Sequence, residues 1–321
     1  MADAGILVVR GGAIGDFILT LPVLSALRAQ FPRAQIGVMG YPRIADLAKQ
    51  GGLVDQIYSL EAQGMARLFA RGAELDPGWK QTWGGAVIIV SYLYDPDGIF
   101  RENVARCSSA QFIQGPHRPN DAGEVHAAHA LLEPLQRLAV FDFDPQPRLR
   151  LNPPKPSGLT AELLEWVSKD SVIAVHPGSG SRSKNWPVER WTEVLSSRLQ
   201  GYNDRCLIVG GEADEDRPER LQAGLPQGRV RVVRNLGLAQ LGVVLGRCRA
   251  FLGHDSGISH LAAAVGVPTL VLWGPTVQKV WRPVGDHVRV VDHPLGMSGI
   301  TVESVQQAIH GMIPSEHSKS S

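Results

Sequence analysis

Cysteine is nearly missing from this sequence. Its 321 residues hold only Cys107, Cys206 and Cys248, far apart and without CxxC spacing. That argues against a disulfide framework or a structural zinc site and fits a reducing cytoplasm. An excess of one charge is missing too: 32 Lys and Arg stand against 31 Asp and Glu, a formal net charge of +1. A nucleic-acid partner calls for a strongly basic face, so that class is set aside. Long hydrophobic runs are absent, and no stretch approaches the roughly 20 apolar residues of a membrane span. The chain starts directly into Ile6-Leu-Val-Val9, too short for the apolar region of a signal peptide and without its basic start. The expectation is a cytoplasmic protein, with room left for peripheral contact at the inner face of the cytoplasmic membrane.

What is present is an ordinary globular mix, 44% apolar and 20% charged. The length suffices for two domains of roughly 150 residues. Strands are expected at residues 5–10, 34–40, 54–60, 85–90 and 111–114, and helices at 17–28, 41–50, 65–71, 99–107 and 124–138. Residues 141–156 carry five prolines and no periodicity, which marks a linker. The alternation then resumes, with helices at 160–168, 188–199, 214–223 and 238–246 and strands at 172–176, 206–210, 229–233, 250–253, 269–273 and 288–291. A last helix is expected from residue 301, and the polar tail 313–321 reads as disordered. Strand–helix alternation of this kind means parallel sheets. The fold class is therefore α/β, with two doubly wound Rossmann-like domains, 1–150 and 151–312, whose strand C-termini face a central cleft.

Four stretches carry chemistry. The first, Arg10-Gly-Gly-Ala-Ile-Gly-Asp16, is a strand-to-helix turn. Only Gly12 and Gly15 keep the dinucleotide spacing, and the next strand ends in Met39-Gly-Tyr41 with no carboxylate for a ribose, which weighs against a dehydrogenase. Asp16 is either a carboxylate complementing the helix dipole or a general base. The second, His176-Pro-Gly-Ser-Gly-Ser-Arg-Ser-Lys-Asn-Trp-Pro187, gathers Ser179, Gly180 and Ser181 with the cations Arg182 and Lys184. Donors and cations suit a diphosphate, although the P-loop pattern is absent and a plain turn has the same composition. In the third, Leu207-Ile-Val-Gly-Gly-Glu212, Glu212 is a candidate for a nucleoside's hydroxyls or a surface acid.

The fourth is Phe251-Leu-Gly-His-Asp-Ser-Gly-Ile-Ser-His260, a buried strand running into a small apolar helix. Asp255, Ser256, Gly257 and Ile258 open that helix, and such an N-terminus attracts phosphate, unless Asp255 or Ser256 serves only as its cap. The neighbouring strand, Thr269-Leu-Val-Leu-Trp-Gly-Pro-Thr276, ends in a turn of its own. His254 and His260 do not read as metal ligands, since no carboxylate cluster accompanies them.

Taken in order, Gly11-Gly-Ala-Ile-Gly-Asp-Phe-Ile-Leu-Thr-Leu-Pro22, His176-Pro-Gly-Ser-Gly-Ser181 with Lys184-Asn-Trp-Pro187, Asp255-Ser-Gly-Ile-Ser-His-Leu-Ala-Ala-Ala264 and Leu272-Trp-Gly-Pro-Thr276 resemble the blocks of the family 9 glycosyltransferases. These are the ADP-heptose:lipopolysaccharide heptosyltransferases and their relatives. The resemblance implies a GT-B fold and an inverting transferase, with the glycan or glycolipid acceptor on the N-terminal domain and the nucleotide-sugar donor on the C-terminal one. It implies Asp16 as base, Lys184 facing the phosphates, Asp255 at the donor sugar and Ser256, Gly257 and Ile258 as the diphosphate turn. Ser179, Gly180, Ser181 and Glu212, read above from their own loops, and His260, which on its apolar helix otherwise reads as a core histidine, complete the expected donor site. The donor is a substrate, and neither cofactor nor metal is expected. Two departures stand out: Val277-Gln278 replaces the usual Asp-Pro, and residues 91–125 match no family block. The last helix, 301–312, is a candidate to pack back on the N-terminal domain. The rival activities are a sugar-nucleotide epimerase or hydrolase of the same architecture, and a non-catalytic sugar-nucleotide binder.

Overall fold

A computed structural model describes residues 5–151, 159–169 and 171–313 of the chain. The chain divides into two compact units, Met1–Arg150 and Leu151–Ser321. The first is built in the order β1 (Gly5–Val9), α1 (Ile14–Ile18), α2 (Leu21–Gln30), β2 (Gln35–Gly40), α3 (Pro42–Gln50), β3 (Gln56–Ser59), α4 (Gly78–Gly84), β4 (Ala86–Ser91), α5 (Ile99–Ala105), β5 (Gln111–Gln114) and α6 (Ala127–Leu132). Its five strands are parallel in the order β3-β2-β1-β4-β5. The chain thus winds outward from β1 in one direction, then returns to add β4 on the other side. Residues 6–9 of β1 are all buried, the mark of a parallel strand covered on both faces. Leu7 and Val9 share a core with Ile89, Trp79, Trp83 and Phe100.

Proline sets the differences from expectation. Residues 17–28 form two helices rather than one: α1 ends at Ile18, and Pro22, which has no N–H to continue the ladder, sits in the first turn of α2. Thr20 between them donates its hydroxyl to the Asp16 carbonyl at 2.8 Å. The helix expected at 124–138 starts later and stops earlier. His126 caps α6, accepting the Ala128 N–H, and Pro134 turns the continuation into a 3₁₀ helix, Glu133–Leu138. Residues 65–71 are likewise 3₁₀, over Met65–Phe69, with Met65 and Leu68 buried at the three-residue repeat of that helix.

The second unit runs α7 (Leu159–Lys169), β6 (Val172–Val175), α8 (Val188–Gly201), β7 (Arg205–Gly210), α9 (Arg217–Ala223), β8 (Val230–Arg234), α10 (Leu238–Leu245), β9 (Ala250–His254), α11 (Gly257–Ala264), β10 (Thr269–Leu272), α12 (Gln278–Trp281), β11 (Val288–Val291) and α13 (Val302–Met312). Its six parallel strands lie in the order β11-β10-β9-β6-β7-β8. The helix expected from residue 214 begins only at Arg217, with a 3₁₀ turn, Glu212–Asp214, before it. Helix α13 buries Val302, Val305 and Ile309 in the second unit's own core, beside Trp186, Trp191 and Leu195. Residues 152–156 of the expected linker and the expected disordered tail from residue 314 lie outside the described residues, while residues 141–151 carry no helix or strand. Among the described residues no helix is long and apolar enough to cross a membrane.

Candidate functional site

Strands β10, β9, β6 and β7 are neighbours in the second sheet, and because they are parallel their outgoing loops share one edge. That edge of an open α/β sheet is where ligands bind. The loops are His176–Ser181, Gly211–Asp214, Asp255 with Ser256, and Gly274–Thr276, so every C-terminal motif of the sequence converges here.

A buried histidine pins the edge. At the end of β9, the Nδ1–H of His254 donates to the Gly178 carbonyl at 3.1 Å, while its Nε2 accepts the Trp186 N–H at 3.0 Å and the Trp191 indole N–H at 3.3 Å. Two donors on Nε2 fix the tautomer and leave no place for a second proton. Burial pushes the imidazole's pKa down to about 3. His254 is therefore a neutral bracket holding both ends of the loop between Gly178 and Trp186.

Lys184 and Asp255, singled out separately in the sequence, meet. Lys184 Nζ donates to Asp255 Oδ2 at 2.6 Å, and the Thr276 hydroxyl donates to the same oxygen. Asp255 is 8% exposed, and Lys184 is half-buried. A Cβ built on Gly274 would stand 3.3 Å from Lys184 Cγ, so the Gly-Pro-Thr turn lies against the lysine's stem. Arg182, grouped with Lys184 in the sequence, goes elsewhere: it pairs with the exposed Glu215 at 2.8 Å. Ser179 Oγ lies 2.7 Å from Asn185 Oδ1 and 2.8 Å from the Ser181 carbonyl, and the exposed Gly180 adopts a φ of 73°.

Helix α11 opens beside them. Ser256 is its N-cap, accepting the Ser259 N–H, which settles the choice between Ser256 and Asp255. The half-buried Gly257 and Ile258 follow, with first-turn N–H groups that have no partner inside a helix. His260 is buried on the same helix.

One carboxylate escaped the sequence argument. Glu212, the predicted nucleoside contact, is exposed, whereas Asp214 is buried and accepts from His176 Nε2 at 2.9 Å and from the Gly211 N–H at 2.6 Å. Burial pushes the Asp214 carboxyl up, but its bonds to His176 and the Gly211 N–H together with Arg234 outweigh that and hold it below the usual carboxylate range. The other face of His176 lies 3.5 Å from Ser256 Oγ. Only glycine fits at Gly178, where a Cβ would overlap Asp214 Oδ1. The available signal was the spacing Gly211-x-x-Asp214, in which a side chain three residues on caps a backbone N–H. Thr276 was quoted within its turn but not as a partner of Asp255.

In the first unit, Asp16 is the third residue of α1. Its Oδ2 accepts the Ala13 N–H at 2.9 Å, and its Oδ1 stands 3.5 Å from Arg10 Nη2. Gly12 makes this possible: its φ is 97°, and a Cβ there would come within 2.8 Å of the carboxylate. Arg10 is buried at 2% exposure and donates through Nη1 to the His117 carbonyl at 2.8 Å. Burial lowers the Arg10 pKa against the opposing pull of Asp16. The Asp16 side chain is 32% exposed. A carboxylate offers about four lone-pair positions, so Asp16 both caps its helix and keeps capacity to accept a proton. Among the described residues no group of three or more His, Cys, Asp or Glu could hold a metal ion.

Comparison with known proteins gives one consistent result. The profile of glycosyltransferase family 9 (heptosyltransferase) matches residues 103–305, a span that includes Lys184 and Asp255 and begins after Asp16. Lipopolysaccharide heptosyltransferase 3 of Escherichia coli strain K12 is 22% identical over 299 residues, covering 85% of this chain and 83% of that protein. Among solved structures, a family 9 glycosyl transferase of Veillonella parvula superposes with a TM-score of 0.77 at 19% identity, covering 97% of this chain and 98% of the other. E. coli heptosyltransferase WaaC with ADP superposes at 0.71 and 17% identity, covering 96% and 100%. These likenesses show the GT-B fold.

Proposed function

The chain belongs to glycosyltransferase family 9, the heptosyltransferases, and from that premise we propose that this enzyme moves a heptose from ADP-heptose onto a lipopolysaccharide-core acceptor with inversion at the anomeric carbon. That it is a glycosyltransferase follows from the family; donor, acceptor and residue roles are the proposal. The observation that carries it is the Lys184–Asp255 pair beside the opening of α11. A cation, a helix N-terminus and a serine loop on one sheet edge suit a nucleoside diphosphate.

In this mechanism Asp16 takes the proton of the acceptor hydroxyl as its oxygen bonds to the anomeric carbon. The bond from that carbon to the diphosphate oxygen breaks, and ADP leaves with the electron pair. Negative charge on the leaving phosphate is met by Lys184, by the Gly257 and Ile258 N–H groups and by the Ser179–Ser181 loop. Donors fixed in advance of the reaction stabilise such charge most effectively. Asp255 releases Lys184 in part to the phosphates and turns toward the donor sugar. His176, aligned by Asp214, orients the Ser256 hydroxyl at the same helix end. No metal takes part in this scheme. A glycolipid acceptor would bring the enzyme to the inner face of the cytoplasmic membrane as a peripheral partner.

A thermal-shift panel tests the donor class. ADP and ADP-heptose should raise Tm, since ligand at 100 times its Kd adds about 2.7 kcal/mol to stability. UDP- and GDP-sugars at the same concentration should leave it unchanged; stabilisation by UDP-sugars alone would overturn the donor assignment.

A further inference from the structure

The first unit holds an aromatic side chain that the mechanism above does not use. In its sheet the winding direction reverses between β1 and β4, and the crevice at such a switch point takes ligands. The turn leaving β1 leads straight into α1, whose first turn carries Asp16; the loop leaving β4 carries Tyr94. Leu93 joins the two loops, its Cδ2 standing 3.4 Å from a Cβ built on Gly11. Tyr94 is 63% exposed.

A single exposed aromatic residue is ordinary. The residues on either side of this one are held, and its ring packs on one neighbour. Before it, the Leu93 carbonyl accepts from Gln114 Nε2 at 2.9 Å. After it, the Asp95 carboxylate accepts the Phe100 and Arg101 N–H groups, each at 3.0 Å, and so caps α5. The Tyr94 ring meets the His117 ring nearly edge-on, with centroids 4.6 Å apart at 61°. The His117 carbonyl in turn accepts from Arg10, whose other arm faces Asp16. An exposed ring face is thus linked through His117 and Arg10 to the proposed base.

We infer that Tyr94, braced by His117, is the platform on which the acceptor sugar stacks, and that it determines acceptor specificity by setting one hydroxyl at Asp16. A pyranose presents a flat face of C–H groups that matches an aromatic ring, while its hydroxyls stay free at the rim. An exposed ring held in place in advance binds such a face with little loss of side-chain freedom. The inference rests on the transferase reading above, with the acceptor on the first unit.

The test uses the full chain saturated with ADP and a deacylated, heptose-free lipopolysaccharide core oligosaccharide as the probe. Calorimetry should show Tyr94→Ala binding the oligosaccharide about tenfold more weakly, the scale of one good aromatic contact. Tyr94→Phe should bind as the parent does. In turnover, Tyr94→Ala should raise the acceptor KM by a similar factor and lower kcat as well, because a hydroxyl no longer set at Asp16 reacts less often, with ADP affinity unchanged. Parent-like oligosaccharide binding by Tyr94→Ala would overturn the platform alone, as would a matching loss of ADP affinity, which marks general damage. A parent chain that neither binds the oligosaccharide nor transfers sugar to it would overturn the lipopolysaccharide-core acceptor proposed above, and the platform with it.

Discussion

Asp16→Asn should lower single-turnover sugar transfer by about 10²–10⁴-fold, the range for loss of a general base, with ADP affinity unchanged. The substitution isolates chemistry from architecture. An asparagine carbonyl can still accept the Ala13 N–H that Asp16 Oδ2 accepts at 2.9 Å, so the cap on α1 survives. The Gly12 turn, where a side chain would crowd the carboxylate, is untouched. What disappears is the basicity, along with the negative charge 3.5 Å from the buried Arg10. Since the Asp16 side chain is about one-third exposed, solvent screens that pair and the stability loss stays small. ADP binding should not respond, because every donor contact proposed here lies in the second unit. Transfer at the parent rate would reduce Asp16 to a helix cap. Glu124 and His126 would then be the next bases to test, although His126 Nδ1 already accepts the Ala128 N–H.

The second large effect is expected on donor binding. Lys184→Ala removes a charge-assisted bond to phosphate worth about 1.5–3 kcal/mol, or roughly 10- to 150-fold in ADP affinity. The pairing with Asp255 enlarges the loss. Without the ammonium, Asp255 is left nearly buried with only the Thr276 hydroxyl among its partners described above, and its charge then faces an anionic ligand. Lys184→Ala should therefore bind ADP more weakly than Lys184→Ala combined with Asp255→Asn. Residues in one network show such non-additivity. Calorimetric titration of ADP into both variants measures it, and equal affinities would show that the pair is not coupled at the donor site.

How much of this was legible in the sequence depends on how local its cause is. Strands β1 and β9 are continuous apolar runs because both faces are covered, and nothing distant is needed to see them. The Ser256 cap sits next to the helix it caps. Helix α4 was invisible because Trp79 and Trp83 supply nearly all of its apolar character, and only the core built around Phe100 explains it. The break before Pro22 was readable in principle, but apolar spacing runs through it. At the site, the composition of each loop was legible and the partnership between loops was not. Lys184 and Asp255 are 71 residues apart, and nothing in either motif states that they touch. Glu212 and Asp214 are two acids on one short turn; which one is buried is decided by the close approach of Gly178. The His254 bracket depends on three long-range hydrogen bonds and had no sequence signature at all.

The central claim is that this enzyme breaks the sugar–diphosphate bond only to pass the sugar to an acceptor, without a metal. The most direct test follows ADP-heptose by proton NMR in EDTA, with and without the deacylated core oligosaccharide. The expected result is donor consumption only when oligosaccharide is present, with the transferred heptose in the anomeric configuration opposite to that of the donor. Consumption of donor in the absence of oligosaccharide, as by an epimerase or hydrolase, would contradict it.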